Sequence, residues 1–503
     1  MAQHDYIISN QSGAAFRQDL NNALAAIVSQ NSGAVEPSTT YAYQFWADTT
    51  AGVLKQRNAA NSAWITLFQL DGEWTTIALE NGTAAAPSLY FKDSGTDTGV
   101  YSPGVDQVGV ATAGVQRINF NGSTEVVVND TGADVDFRIE GDTEPNLFVV
   151  DAGTDEVRVK NLNGGQLAGA RNRIINGDMR INQRTTAATT TGAFGVDRWS
   201  LGILSTGAVS LAGSTATAPV GFTHSLYLDV TTADTSIAAT EFVGINQLIE
   251  GFNVADLGFG TANAKTITLS FWIRSTTTGT YCVSFCNSGS TRSYVATYTI
   301  NAANTWEYKT ISITGDTSGT WLTDSGAGLT VRFAFAAGSN FQTTAGSWQA
   351  GNYTATSAQT NLMALNTNDA YISGVQLEVG SVATPFERRS YTQELALCQR
   401  YYCKTYSTTA APGGVTSAGN ISTMALASGV AQVNFIFPVD MRSEPSVTLY
   451  NAVTGATGTW RDGAAVDRAV TAQWISTRQA TINCATATAG AFLQGQAVAQ
   501  IEL

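Results

Sequence analysis

Between Ala14 and Ser29 the apolar residues Phe16, Leu20, Leu24, Ile27 and Val28 recur at the spacing of one helix face, and Gly33 follows as a stop. Phe16, Leu20, Ala23 and Ile27 also step 4-3-4, as along a coiled-coil seam. So short a run does not hold subunits together alone, so a helix packed on its own small domain is expected. After Pro37 the pattern turns to short aromatic β segments, Tyr41 to Trp46, Val53 to Arg57 and Trp64 to Leu70. From 76 to 165, short strands (Ser88 to Phe91, Val115 to Phe120, Glu125 to Val128, Asp136 to Ile139, Leu147 to Val150, Glu156 to Val159) alternate with acidic Gly turns. So few large apolar side chains do not build a globular core. They predict an intertwined shaft, each chain burying a thin apolar face against copies of itself.

Residues 166–389 carry a series of strand-like runs, opened by Arg173 to Ile181, at the spacing of an antiparallel sandwich. In Thr266 to Arg274, Ile267, Leu269, Phe271 and Ile273 point one way, while Thr268, Ser270, Trp272 and Arg274 point the other. Tyr281 to Phe285, Tyr294 to Ile300, Tyr308 to Ile313, Leu329 to Phe335 and Ala370 to Val379 extend the series to about nine or ten strands, the count of a jelly roll. Ser390 and Gln393 form a capping box opening a helix over 390–404, with Tyr391, Leu395, Cys398 and Tyr402 on one face. A further β unit follows, with strands at Gln432 to Val439, Ser446 to Tyr450, Gln473 to Ile475 and Gln496 to Leu503, and a Gly-rich loop, Asn451 to Gly463, carrying Trp460. The expected fold class is mainly β: an elongated multi-domain fibre with a small α+β domain at 1–75, an intertwined β shaft at 76–165, a jelly-roll sandwich at 166–389, a linking helix at 390–404 and a β-sandwich tip at 405–503.

Composition narrows the function. A chain of 503 residues exceeds one core and predicts several domains. Charged residues are only 13%, against the usual share of about 25%. With 10% aromatics the chain is not disordered. The net charge of -13 is uneven: residues 1–170 hold 8 basic and 20 acidic side chains (-12), residues 171–503 hold 18 and 19 (-1). No basic run offers a phosphate footprint, so a nucleic-acid partner is not expected. No stretch approaches about 18 apolar residues, and Met1 to Ser9 lacks the features of a secretory leader, so membrane insertion and export by that route are not expected.

The five cysteines are odd in number and lack zinc spacing; Cys282 and Cys286 lie about 13 Å apart along a strand. Free thiols and synthesis in a reducing cytosol follow. Two histidines leave no Ser-His-Asp or His-metal constellation. Asp-x-Gly-x-Asp occurs at Asp93 to Asp97, Asp130 to Asp134 and Asp151 to Asp155, but the position of an EF-hand glutamate holds Gly104, Gly141 or Leu162. β-turns with a capping Asp and a left-handed Gly are expected there.

The Asn172-Arg-Ile-Ile-Asn-Gly-Asp-Met179 opening, Val196-Asp-Arg-Trp199, and Tyr371-Ile-Ser-Gly-Val-Gln-Leu-Glu-Val-Gly380 running through Thr384-Pro-Phe-Glu-Arg-Arg389 into Leu397-Cys-Gln-Arg-Tyr-Tyr402 resemble bacteriophage tail fibre proteins. They bracket what looks like the carbohydrate-binding-module-like sandwich of such fibres. Phe437-Pro-Val-Asp-Met-Arg442, Pro445-Ser-Val-Thr448 and Gly458-Thr-Trp-Arg-Asp462 resemble their distal tip domain. Asp5 to Gly13, Ala15 to Leu20 and Glu36 to Tyr41 are similar to the virion-attachment domains of marine and cyanobacterial phage fibres. The resemblance implies a homotrimer made in the host cytoplasm and resident in the virion tail. Its N-terminus would meet tail or baseplate proteins through Phe16, Leu20, Tyr43 and Trp46, and its C-terminal domains would meet a host surface polysaccharide or outer-membrane receptor.

Sugar recognition needs an exposed aromatic face and nearby hydrogen-bonding groups. Trp272, with Arg274, stands on the polar side of its strand; Trp348 and Tyr353 lie in a Gly- and Ser-rich loop; Trp460, Arg461 and Tyr450 belong to the tip loop. Trp199 and Trp306, in apolar runs, are expected in the core. No cofactor is expected beyond a structural calcium, for which the resemblance offers Asp178 and Glu378. The expected role is non-enzymatic binding. The alternatives are a tailspike-like polysaccharide-degrading enzyme, which needs two carboxylates about 5–9.5 Å apart that the sequence alone does not single out, and a structural virion protein without a receptor role.

Overall fold

The computed structural model describes residues 3–70, 79–91, 93, 95–121, 125–129, 132, 134, 136–140, 148–159 and 171–503. The chain forms two units, Met1–Lys160 and Asn161–Leu503, and the architecture is mainly β. In the first unit, helix Gly13–Val28 precedes a three-stranded antiparallel meander, Phe45–Asp48, Val53–Arg57 and Trp64–Gln69. The helix turns Ala23 and Ala26 inward and leaves Phe16, Leu20, Leu24 and Ile27 exposed. The expected packing of the helix on its own small domain therefore holds for its small side chains, Ala23 and Ala26, and not for its large apolar ones. Tyr43 is exposed, but Trp46 is buried between Lys55, 4.7 Å from its ring, and Trp64 at 5.3 Å. Trp46 thus belongs to the domain's own core and not to its contact surface.

Next come a five-stranded antiparallel meander, Leu89–Tyr90, Gly99–Tyr101, Val108–Thr112, Val115–Asn121 and Glu125–Val128, and a three-stranded one, Phe137–Ile139, Phe148–Asp151 and Glu156–Val159. The strands pair in chain order, and Val108, Phe120, Val126, Val128, Phe137 and Ile139 stay exposed. In the third Asp-Gly turn, Asp151 accepts from the Thr154 N–H at 2.9 Å, and Asp155, at φ 56°, takes the left-handed position expected of the glycine. The second turn falls mostly outside the described residues.

The second unit is built on a two-layer sandwich. Phe194–Val196, Trp199–Leu204, Phe242–Glu250, Ala327–Ala337, Gly279–Cys286, Arg292–Ile300 and Trp348–Ala350 form one sheet, in that spatial order. Ala208–Ser214, Ser225–Thr232, Asp369–Val379, Ile267–Ser275 and Glu307–Ile313 form the other. Phe271 of the second sheet meets Phe333 of the first at 4.9 Å, and Trp199 stands 6.2 Å from Phe333, all fully buried. Trp306, expected inside, is only partly buried and lies edge-on to Tyr371 on the outer face.

Arg173 to Ile181 is not a strand. Side-chain amides stand in for a ladder there: Asn172 accepts from the Ile174 and Leu377 N–H groups and donates to the Val375 carbonyl, Gln247 pairs with both main-chain groups of Ile175, and Asn176 does the same for Ile181. A polar side chain can satisfy buried backbone without a neighbouring strand.

Helix Tyr391–Gln399 carries the expected capping box. It ends before Tyr402–Lys404, which forms a strand against Phe492–Gln500. Phe492–Gln500 also pairs with Ile421–Met424, Ser446–Tyr450 and Thr459–Asp462, and so joins the C-terminal domain together. A second sheet orders Ala431–Ile436, Gln479–Cys484 and Thr471–Gln473. Between sandwich and C-terminal domain lies a charged seam. Glu502 accepts from Arg184 at 2.6 Å and pairs with Arg198; Arg184 also reaches Asp197 at 2.9 Å and covers the Tyr402 ring at 3.9 Å. Burial pushes the Asp197 carboxyl above the ordinary carboxylate range despite Arg184. Lys404 donates to the carbonyls of Gln183, Thr408 and Ala410, and burial holds its ammonium down at about 8.

Candidate glycan-binding groove

On strand Ile267–Ser275 the alternation read from the sequence holds: Leu269, Phe271 and Ile273 are fully buried, while Trp272 and Arg274 stand on the outer side, partly exposed. Trp272 is in register with Tyr308, their rings 5.3 Å apart, and on its other side with Ser373. A register shift follows, and Gly374 takes φ +61°. A side chain there would be strained, and its Cβ would lie 2.6 Å from the Phe222 ring and 3.1 Å from the Trp272 ring. The glycine thus brings Phe222 and Trp272 together over the sheet.

The segment after strand Asp369–Val379 closes the other wall. Glu378, buried, accepts from the Thr384 N–H at 2.8 Å and hydroxyl at 2.7 Å, and Gln376 accepts from the Glu387 N–H at 2.7 Å. These bonds pin Thr384 to Glu387 and set Phe386 5.2 Å from Phe222, edge to face. Arg388 lies 4.8 Å over the Phe222 ring and spends one N–H on the Gly221 carbonyl at 2.6 Å. The groove, about 630 Å³, is lined by Trp272, Tyr308, Phe222, Phe386, Pro385 and Arg388, with Ser270, Gly374, Ala383 and Thr384 on its floor and rim. It has the makeup of a site that takes an apolar ring face against aromatics and a few hydroxyls against fixed donors, with Arg388 its one charge.

Beyond the groove the same sheet face carries Tyr227 stacked on Tyr371 at 4.5 Å, with Arg274 4.9 Å over Tyr371. Asp229 is directly opposite Asp369 two residues further along. Burial pushes the Asp369 carboxyl up, Arg274 draws it down and Asp229 raises it again.

The other expected contacts lie elsewhere. Trp348 packs among Phe259, Tyr294 and Trp321 at the edge of the opposite sheet and donates to the Thr314 carbonyl at 2.8 Å. Tyr353 packs against the cluster of Cys282, Val295 and Ala355. Trp460 is fully buried: it fills the space left by Gly495, whose Cβ would lie 2.1 Å from the indole. Trp460, a candidate sugar contact, is thereby taken out of reach of a ligand by a distant glycine. Arg461 is paired with Asp467 at 2.6 Å, and Tyr450 is partly buried beside Tyr406 at 6.2 Å.

Asp178 is taken by Arg180 and Glu378 by Thr384 and Gln376, and neither belongs to a group of three or more metal-type ligands among the described residues. The calcium expectation therefore gains no site among the described residues: Glu378 is spent on protein donors, Asp178 gives one oxygen to Arg180, and no third ligand joins either. Phe222, Tyr308, Tyr371 and Arg388 were not singled out from the sequence. Tyr308 was within reach, because it shares its outward register with Thr310 and Ser312.

No protein-family model matches the chain, and no curated protein matches it. Among solved structures, an arabinose-bound α-L-arabinofuranosidase is similar over 40% of this chain at 10% identity and a TM-score of 0.23, and the match spans only 26% of that enzyme. The C-terminal family 22 carbohydrate-binding module of a Clostridium thermocellum protein matches over 40% of this chain and 98% of its own, at 16% identity and a TM-score of 0.22. A family 11 carbohydrate-binding module from Clostridium thermocellum, in complex with a mixed-linked tetrasaccharide, matches over 40% and 99%, at 14% identity and a TM-score of 0.21. These likenesses are slight, and the groove's chemistry is taken from its own side chains.

Proposed function

We propose that this chain is a non-enzymatic receptor-binding fibre of a bacteriophage virion. It would act as a homotrimer fixed to the tail or baseplate by its N-terminal unit, and hold a glycan of the host cell surface against the sandwich. The observation that carries the reading is the groove lined by the rings of Trp272, Tyr308, Phe222 and Phe386 together with a single guanidinium. The motifs resembling tail fibres support the virion setting, and the exposed apolar side chains of the helix and meanders support assembly with copies of the chain. Three identical grooves raise avidity without tight individual sites, as reversible searching on a surface requires. The test is adsorption of the purified chain to host cells. Trp272→Ala is expected to lower cell binding at least tenfold, with its folding intact because the ring is outside the core. Undiminished adsorption rules the groove out, and a monomeric mass in solution rules out the trimer.

A second reading, cleavage of the bound glycan, is favoured by one observation: Asp229 and Asp369 are cross-strand partners on the same sheet face, beyond the groove and past Tyr227 and Tyr371. Directly opposed side chains stand about 4.5–5.5 Å apart at Cβ, and a retaining glycosidase sets its two carboxyls about 5–5.5 Å apart. Release of reducing ends from host polysaccharide, lost in Asp369→Asn, would favour cleavage; none released leaves binding alone.

A further inference from the structure

The three-stranded sheet of the C-terminal domain has two unlike faces. Ala431, Phe435, Ala480, Ile482 and Cys484 point into the core. On the outside, the pairings align Gln432 with Asn483 and Thr471, then Asn434 with Thr481 and Gln473, and Ile436 with Gln479. The outward residues therefore form a lattice of amides and hydroxyls with one aliphatic corner and no charge. Its side chains are tied to one another across the strands: Gln432 donates to Asn483 at 3.1 Å, and the hydroxyl of Thr481, which its neighbours bury, donates to Asn434 at 2.8 Å. The nearby charges cancel, since Arg478 pairs with Asp440 at 2.9 Å.

At the end of strand Thr471–Gln473 comes Trp474, 70% exposed and at φ +48°. A bulky residue rarely adopts the left-handed backbone, and strain of this kind is held where the surrounding structure uses it. Here the turn ends a strand and leaves an indole in solvent one residue after Gln473 of the amide lattice.

We propose that this face, with Trp474 as its anchor, is a second glycan-binding surface, selective for a neutral polysaccharide chain. The inference rests on the reading of the molecule as a glycan binder but places a separate site on the C-terminal domain. Planar amides and hydroxyls pair with sugar hydroxyls, the indole takes a ring's C–H face, and an uncharged lattice gives an acidic sugar no counter-ion. A second copy of the chain is a poorer match, because beyond Ile436 and Trp474 the face offers no large apolar side chain to bury.

The test is affinity electrophoresis of the full chain through gels holding dextran, mixed-linkage β-glucan or galactan, with alginate as the acidic control. Neutral gels are expected to retard the wild type more than alginate does. Trp474→Ala and Gln473→Glu should each weaken that retardation at least fivefold, and Trp272→Ala should leave a residue of binding that Trp474→Ala removes. Retardation unchanged in both C-terminal variants but abolished by Trp272→Ala overturns this inference and leaves the groove standing. A wild type that no gel retards overturns both. A change in the assembly's mass in Trp474→Ala, with glycan binding kept, assigns the face to a contact between copies and overturns it as well.

Discussion

The meander of Leu89–Tyr90 to Glu125–Val128 and the sheets of the sandwich use the same material, short antiparallel strands with alternating apolar residues, yet they end in opposite states. In the sandwich Leu269, Phe271 and Ile273 are fully buried under the facing sheet, whereas in the meander Val108, Phe120 and Val126 stand 48%, 47% and 59% exposed. The difference is a second layer and not strand quality, because a sheet with one apolar face folds stably only against something else. Under the trimer proposal, copies of the chain supply that layer.

The largest effect is expected for Trp199→Ala when it is set against Phe120→Ala. In the sandwich the first should cost about 3–5 kcal/mol in denaturant unfolding. The second should cost under about 1 kcal/mol in a dissociated chain, and several times more in the assembled protein. A Phe120→Ala protein whose melting and mass both match the wild type would remove the argument for a covering copy. Next comes Glu502→Gln, which leaves Arg184 and Arg198 facing a neutral group at the seam. A loss of about 3 kcal/mol is expected, by the cost of unpairing buried charge, with the N-terminal unit melting as before. A loss of only a few tenths would mean that water reaches the seam.

The smallest effect concerns Lys404. Its folded pKa, about 8, lies below its ordinary 10.5, so burial of the charged form costs stability below pH 8, and that cost is relieved as the pH rises from about 8 to 10.5. Wild type should therefore gain on Lys404→Met between pH 7.5 and 9.5 by an amount on the order of 1–2 kcal/mol, after discounting for partial exposure. Parallel pH profiles for the two proteins would contradict it.

What could be read in advance followed local rules. The alternation of Thr266 to Arg274 placed Trp272 outward, and Ser390 with Gln393 started a helix, because strand period and helix capping depend on residues close in the chain. What was misread depended on distant residues. Trp460 needed Gly495 to make room, Arg173 to Ile181 needed Gln247 and the Val375 to Leu377 backbone to replace strand partners, and Phe222 reached Trp272 only through the bend at Gly374. The motif strings proved to be part scaffold and part wall: Asn172, Gln376, Glu378 and Glu387 bond to one another's segments without lining the groove, while Gly374, Thr384, Pro385, Phe386 and Arg388 of the same strings line it. Trp474 was read within a strand over Gln473 to Ile475, but the strand runs Thr471–Gln473 and the chain turns at Trp474, at φ +48°.

The seam also sets an order in time. Arg184 finds its carboxylate 318 residues later in the chain. At about 5–20 residues per second of synthesis, that interval is on the order of tens of seconds. Until Glu502 leaves the ribosome, the emerging sandwich holds two cations at a surface still open to water, and strand Phe492–Gln500 is not yet there to receive the four strands made before it. Translation that stalls in this stretch would release a sandwich with its seam unsealed, a species for chaperones and proteases to sort.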